Sequence, residues 1–154
     1  MKTTLQIDGL ADLGKAMSGL TRDIAKKVAF AGVLAGAGVI KKAAKQNAHV
    51  AQKAYEVRLK AGDKPQTIQP GNIGKKLATK RIKGTLTAEY ALFVKNKYKD
   101  GFAGRAARLM EFGTVNQPAK PFMRPAFESN KEKAAYAIKD RLAKRIEKAN
   151  STTR

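Results

Sequence analysis

An α+β domain is the predicted fold: a small, mostly antiparallel sheet packed against a long N-terminal helix and a C-terminal amphipathic helix. Three observations predict it. Apolar residues recur at helical spacing after Thr21, two strand-like runs flank Gly84, and helical spacing returns after Pro125 beneath a heavily basic sequence. The 154 residues suit one domain spanning 1–154, since that length closes a hydrophobic core but is too short for two of ordinary size. An apolar content of 43% against 29% charged residues is a globular mixture, which argues against disorder of the whole chain.

Each element follows from local pattern. Thr3, Leu5 and Ile7 alternate with polar neighbours, predicting a short strand that ends at Asp8-Gly9. Leu10, Leu13, Met17 and Leu20 then take helical spacing. Thr21 is placed to cap a second, longer helix whose apolar face is Ile24, Val28, Ala31, Ala35 and Val39. Gly32 and Gly36 lie four apart in that helix, beside Ala35, Ala37 and Gly38, leaving one stripe nearly bare of side chain. Glycine in a helix costs about 1 kcal/mol against alanine and usually has a packing reason, so the stripe is read as lying tightly on the protein's own sheet. A sliding, oligomeric or membrane-pairing contact is the alternative.

Residues 49–75 lose periodicity and collect Gly62, Asp63, Pro65, Pro70, Gly71, Asn72 and Gly74. They read as one long loop, either a partner contact ordered on assembly or a surface loop with no role of its own. Leu77–Lys83 and Thr85–Lys95 read as two strands of a hairpin around Gly84, with Tyr90 to Val94 as its most buried part. Ala103 to Phe112 forms a short helix that stops at Gly113. Pro125 opens the last helix, in which Phe127, Ala134, Ile138, Leu142 and Ile146 make the apolar face, and residues 150–154 form a frayed tail.

The charge balance narrows the partners. Thirty-two Lys and Arg against 12 Asp and Glu leave +20, a field that favours nucleic acid, anionic lipid or an acidic protein surface. Lys139, Arg141, Lys144, Arg145 and Lys148 on the last helix are the densest source, followed by Lys80, Arg81 and Lys83. The longest apolar stretch, Val28 to Ile40, falls short of the roughly 20 residues that span a bilayer, so no membrane partner is expected. The start MKTTLQIDGL has no signal-peptide pattern and the chain has no cysteine, so an intracellular setting is the expectation.

No enzyme is expected. The single histidine, His49, stands at a helix end as a solvated residue in preference to a catalytic base, and the carboxylates are scattered without a close pair. No metal-ligand spacing occurs, and Gly71 to Lys76 lacks the spacing and the closing Ser or Thr of a phosphate loop. Neither a cofactor, a metal nor a small-molecule substrate is expected. No zinc-finger, helix-turn-helix or ribonucleoprotein signature appears, which leaves phosphate contact without sequence reading.

The most distinctive segment is Glu111-Phe112-Gly113-Thr114, a short spacer, then Pro118-Ala119-Lys120-Pro121-Phe122-Met123-Arg124-Pro125-Ala126-Phe127. Gly113 suits a positive φ at a helix end, Pro118 and Pro121 restrict the turns between, and Pro125 suits a helix start. Phe112, Phe122 and Phe127 are expected to anchor this path in the core, Glu111 to pair with Arg124 or reach a neighbouring subunit, and Thr114 to satisfy a loose backbone group.

This segment resembles the tail-component family of lambda-like and related siphophages, also called neck or tail-completion proteins. In layout the resemblance covers nearly the whole chain; its specific part is Glu111 to Glu128. The family's usual return from the long loop, through a Thr-Gly and a Leu-x-x-Ser-Ile type stretch, is matched only loosely by Pro70 to Ile73 and Leu77 to Ile82, so no loop contact is carried over. The resemblance implies a structural subunit of the phage neck, joining or completing the tail at the head-tail interface as a six-fold or twelve-fold homo-oligomeric ring or a ring-associated part. Its implied neighbours are other neck, connector or tail proteins around the path along which DNA leaves, and the surplus positive charge adds an expected contact with the phosphates of virion DNA. Its implied place is the virion, after assembly in the host cytoplasm. A small basic nucleic-acid-binding protein is the competing reading.

Overall fold

The computed structural model describes residues 8–50, 52–57, 66–68, 71–82, 87–95 and 102–152. The expected strand at Thr3 to Ile7 and the turn at Gly84 lie outside them. Six helices and four strands follow in the order α1 (Leu10–Ser18), α2 (Arg22–Asn47), β1 (Tyr55–Val57), β2 (Gln66–Ile68), α3 (Asn72–Lys76), β3 (Leu77–Arg81), β4 (Tyr90–Val94), α4 (Phe102–Phe112), α5 (Met123–Glu128) and α6 (Lys131–Thr152) among the described residues. The class is α+β, mostly helical, with two small two-stranded sheets.

β1 and β2 pair antiparallel, Tyr55 opposite Ile68 and Val57 opposite Gln66. β3 pairs with β4; the Ile82 N–H donates to the Glu89 carbonyl (3.1 Å) and the Lys95 N–H to the Lys76 carbonyl (2.8 Å), so this pair also runs antiparallel. The long structureless loop expected over 49–75 is corrected: its described part holds β1, β2 and α3. Elements of three and five residues are too short to register a periodicity. Tyr90 to Val94 are half-buried throughout, whereas Leu77 and Ala78 are buried, because a two-stranded sheet covers only part of each strand.

The chain groups into two compact units. One comprises Met1–Ile40, Thr79–Ala91 and Ser129–Arg154; the other comprises Lys41–Ala78 and Leu92–Glu128. In the first, Val28, Leu142 and Ile146 form a buried cluster, joined by Leu13, Met17, Leu20, Ile24 and Ile138. The buried line of α2 here is Val28, Gly32 and Gly36, with Phe30 beside it, while the expected Ala31, Ala35 and Val39 are half-buried. Four-residue spacing makes a ridge, and its bare stripe faces α6, not the sheet as expected. A Cβ on Gly32 would stand 2.7 Å from Leu142 Cδ2; one on Gly36 would stand 2.7 Å from Ile138 Cγ1 and 3.0 Å from the Ala134 carbonyl. The sheet instead meets α2 at Phe30, which Tyr90 approaches edge-on (6.0 Å between ring centroids) and over which the Arg81 guanidinium lies at 3.4 Å.

This packing sets a glycine series. Gly36→Ala is expected to destabilise by about 1 to 2 kcal/mol, because backbone as well as side chain stands in the way. Gly38 faces open space, so Gly38→Ala is expected to stabilise by about 0.5 to 1 kcal/mol. Urea melts of the two variants check this; shifts of the same sign would refute the close approach.

In the second unit Ala43, Ala44, Ala48, Ile73, Leu77, Ala107, Phe122 and Ala126 form the core, with Leu92, Val94, Ala106, Met110 and Met123 packed against it. The last helix does not run from Pro125 as expected. Pro125 sits in the first turn of α5, where its missing N–H would have no intrahelical acceptor in any case. The helix then breaks at Ser129-Asn130, and α6 begins with the Ala134 N–H on the Asn130 carbonyl (2.8 Å).

Candidate interaction site at Glu111 to Phe127

α4 exists because Ala103, Ala106, Ala107 and Met110 return every three or four residues to one face, which the core covers. It ends at Gly113, whose φ of 78° lies in the left-handed region and whose N–H closes the last turn on the Leu109 carbonyl (2.8 Å). A side chain there would be excluded twice, since a Cβ would also stand 2.8 Å from the Ala119 amide nitrogen. Thr114 and Gln117 exchange backbone hydrogen bonds (2.9 and 3.3 Å) around Val115-Asn116, and Thr114 Oγ1 accepts the Asn116 N–H (3.3 Å). The Lys120 N–H, donating to the Met110 carbonyl at 2.8 Å, returns the chain along α4.

Glu111 fixes the next step. Its Oε2 accepts the N–H groups of Phe122 (2.8 Å) and Met123 (3.0 Å), and its Oε1 accepts that of Arg124 (2.9 Å). One carboxylate thus satisfies three donors that open α5. Burial by itself raises the Glu111 pKa, but the hydrogen bonds from Met123, Phe122 and Arg124, with the positive charge of Arg124, outweigh it and hold the carboxyl below its ordinary value. The expected partnership of Glu111 with Arg124 is therefore made through the Arg124 backbone, with its charge adding to the hold.

Of the three expected anchors only Phe122 is in the core, fully buried at 0% exposure. The structure corrects the other two: Phe112 is 66% exposed and Phe127 52% exposed. The buried face of α4 is complete without Phe112, and the break after Glu128 ends the face on which Phe127 was counted. Pro118 and Lys120 line a cavity of about 390 Å³ with His49, Leu109, Met110 and Gln117. Val115 is fully exposed at the tip of the turn, while Pro121 leads into the buried Phe122.

The basic residues of α6 belong to the first unit. Arg141, Lys144, Arg145 and Lys148 are exposed, whereas Lys139 is half-buried with its side chain alongside Gly9. Lys144 Nζ pairs with Asp140 Oδ2 at 3.0 Å, one turn away and in solvent, a contact of little net stability. Arg81 rests on Phe30, Lys80 is exposed, and Lys83 lies outside the described residues. His49 is exposed just beyond α2.

Sequence reasoning did not find the backbone role of Glu111 or the exposure of Leu109 and Val115. A signal existed for the first. An acid in the last turn of a helix opposes the helix dipole, so its presence there points to donors brought from elsewhere. Among the described residues, no three His, Cys, Asp or Glu gather as a metal site, and no helix is long and apolar enough to cross a membrane. No family model, curated protein or solved structure matches the chain.

Proposed function

We propose that the chain is a non-enzymatic structural subunit of a bacteriophage neck, joining or completing the tail at the head-tail interface as part of, or beside, a six-fold or twelve-fold ring of identical copies. The observation that carries this reading is the Glu111 to Phe127 segment. The residues through which the sequence resembles the tail-component family form a turn held by one carboxylate on three amides, with Gly113 and Pro125 at positions their backbones suit. Around it Leu109, Phe112, Val115 and Phe127 are exposed, an outlay of apolar surface that suits a contact with another protein. Its place is the virion, following assembly in the host cytoplasm, with other neck, connector or tail proteins as neighbours.

The charge supports the same reading. Copies carrying +20 each repel one another within the Debye length of about 8 Å at physiological salt, so a ring must set acidic protein or DNA phosphates against its basic faces. Arg141, Arg145 and Lys148 follow one another at i, i+4 and i+7 on the exposed side of α6. Reversing these three to Glu in the phage is expected to leave the chain folded, since exposed charges seldom cost much, and to leave full heads and free tails unjoined in micrographs of lysates. Normal numbers of complete virions would reduce this face to a solvated one.

A second reading, a small basic nucleic-acid-binding protein, draws on the same exposed face of α6. It requires direct binding to duplex or single-stranded nucleic acid by the purified chain that weakens steeply with added salt through counterion release.

A further inference from the structure

With Ala103, Ala106, Ala107 and Met110 turned to the core, the opposite side of α4 leaves Arg105, Arg108, Leu109 and Phe112 exposed at i, i+3, i+4 and i+7, which is one face of the helix. A solvated helix face is ordinarily polar throughout; this one alternates two guanidinium groups with a leucine and a phenylalanine. Leu109 continues into the cavity of about 390 Å³ whose wall carries Lys120, and Val115 stands fully exposed on the turn between. The acid of this helix, Glu111, turns its carboxylate oxygens to the amides of Phe122, Met123 and Arg124 and away from the guanidinium groups of the exposed face.

We infer that this face of α4, with the turn that follows it, is a docking surface for an acidic segment of another protein that inserts an apolar side chain beside Leu109. Charge complementarity selects the occupant. A second copy of this chain would bring +20 against Arg105, Arg108 and Lys120, whereas an amphipathic segment with carboxylates flanking its apolar anchors satisfies both kinds of group at once. The cavity admits one or two apolar side chains, and anchors seated in such pockets carry most of an interface's affinity. The inference deepens the reading as a joining protein by giving the chemistry of one neighbour, and it rests on that reading for its biological setting.

The test uses the full chain and a synthetic amphipathic peptide with leucines at helical spacing and glutamates elsewhere. Comparison peptides replace every Glu by Gln, or every Leu by Ser. The acidic leucine peptide is expected to bind with amide shifts centred on residues 105–120, and both comparison peptides about tenfold or more weakly. Leu109→Ser with Phe112→Ser is expected to lower affinity at least tenfold, and so is Arg105→Glu with Arg108→Glu; Arg141→Glu with Arg145→Glu on α6 is expected to change it less than about twofold. Circular dichroism establishes that each variant is folded, and the two α4 variants change different residues, so misfolding of one leaves the other as the test.

Equal losses from the α4 and α6 variants, or shifts spread over the basic surface, would overturn the inference. So would an oligothymidylate of equal charge binding at 105–120 as tightly as the peptide, which would mark a phosphate surface. A change in sedimentation from Phe112→Ser, with peptide binding intact, would assign the face to a second copy and overturn it too. No virion enters this assay, so its failure removes the docking site and leaves the reading as a neck protein standing. Failure of the α6 charge reversal to block assembly would do the converse.

Discussion

Phe122→Ala is expected to lower the unfolding free energy by about 3 to 5 kcal/mol, the cost of removing a large ring from a site that cannot collapse around the gap. The ring is fully buried among Ala44, Ala107, Ala126 and the other members of its cluster, most of them already alanines. The alanines cannot reach into the vacated space, which leaves only a few longer side chains such as Met110 and Met123 to narrow it. A loss of this size is a large part of the roughly 5 to 15 kcal/mol that holds a domain folded, so the variant should be partly unfolded at moderate urea. Phe127→Ala, at a half-exposed ring, is expected to cost less than about 1 kcal/mol. Urea melts of both variants check the contrast, and equal midpoint shifts would mean that the core is not centred on Phe122.

Glu111→Ala is expected to cost about 2 to 3 kcal/mol, above an ordinary helix cap, because one carboxylate accepts three backbone donors. The pH dependence follows from the lowered pKa of Glu111 in the folded chain. A group whose folded pKa lies below its unfolded one contributes fully above the unfolded value and loses that contribution as the pH falls through the folded value. The stability gap between the natural chain and Glu111→Gln should therefore be complete above about pH 5 and shrink as the pH drops below the ordinary glutamate value of about 4.3. Using the difference between the two chains cancels the other carboxylates. A gap that stayed constant from pH 7 to pH 3 would show that the carboxylate charge is not what holds α5 in place.

Helices α1, α2 and α4, the body of α6 and the β3–β4 pair were legible because their signals are long or punctuated: the apolar recurrence through α2, the stop at Gly113 and the runs on either side of Gly84. The short pieces between 49 and 76 were not, since three residues of strand contain no repeat and α3 buries only Ile73 and Gly74. Beyond Val28 the face of α2 was misassigned by one position because glycines carry no hydrophobic signal, yet close approach buries Gly32 and Gly36 where Ala31 and Ala35 stay half-buried. At the candidate site, the conformational demands on Gly113 could be read from residue type alone. Which phenylalanines were anchors could not, because Phe112, Phe122 and Phe127 look alike until the break at Ser129-Asn130 and the covering of α4 divide them. Glu111 escaped for a related reason: its donors are 11 to 13 residues away and belong to the backbone, which no sequence pattern displays.

The fit of Gly32 and Gly36 against Leu142 and Ile138 also has a kinetic side. During synthesis the bare stripe of α2 emerges about 110 residues before the leucine that covers Gly32, and at 5 to 20 residues per second that is a wait on the order of 10 seconds. Helix formation takes microseconds, so whatever helix α2 forms during synthesis has the side that α6 later covers open to solvent for nearly all of that time. A surface of glycine and alanine is a poor nucleus for premature hydrophobic collapse, whereas a leucine-rich face exposed for as long would recruit other nascent chains. The composition that lets α6 come close at the end of synthesis also keeps its seat clean until it arrives.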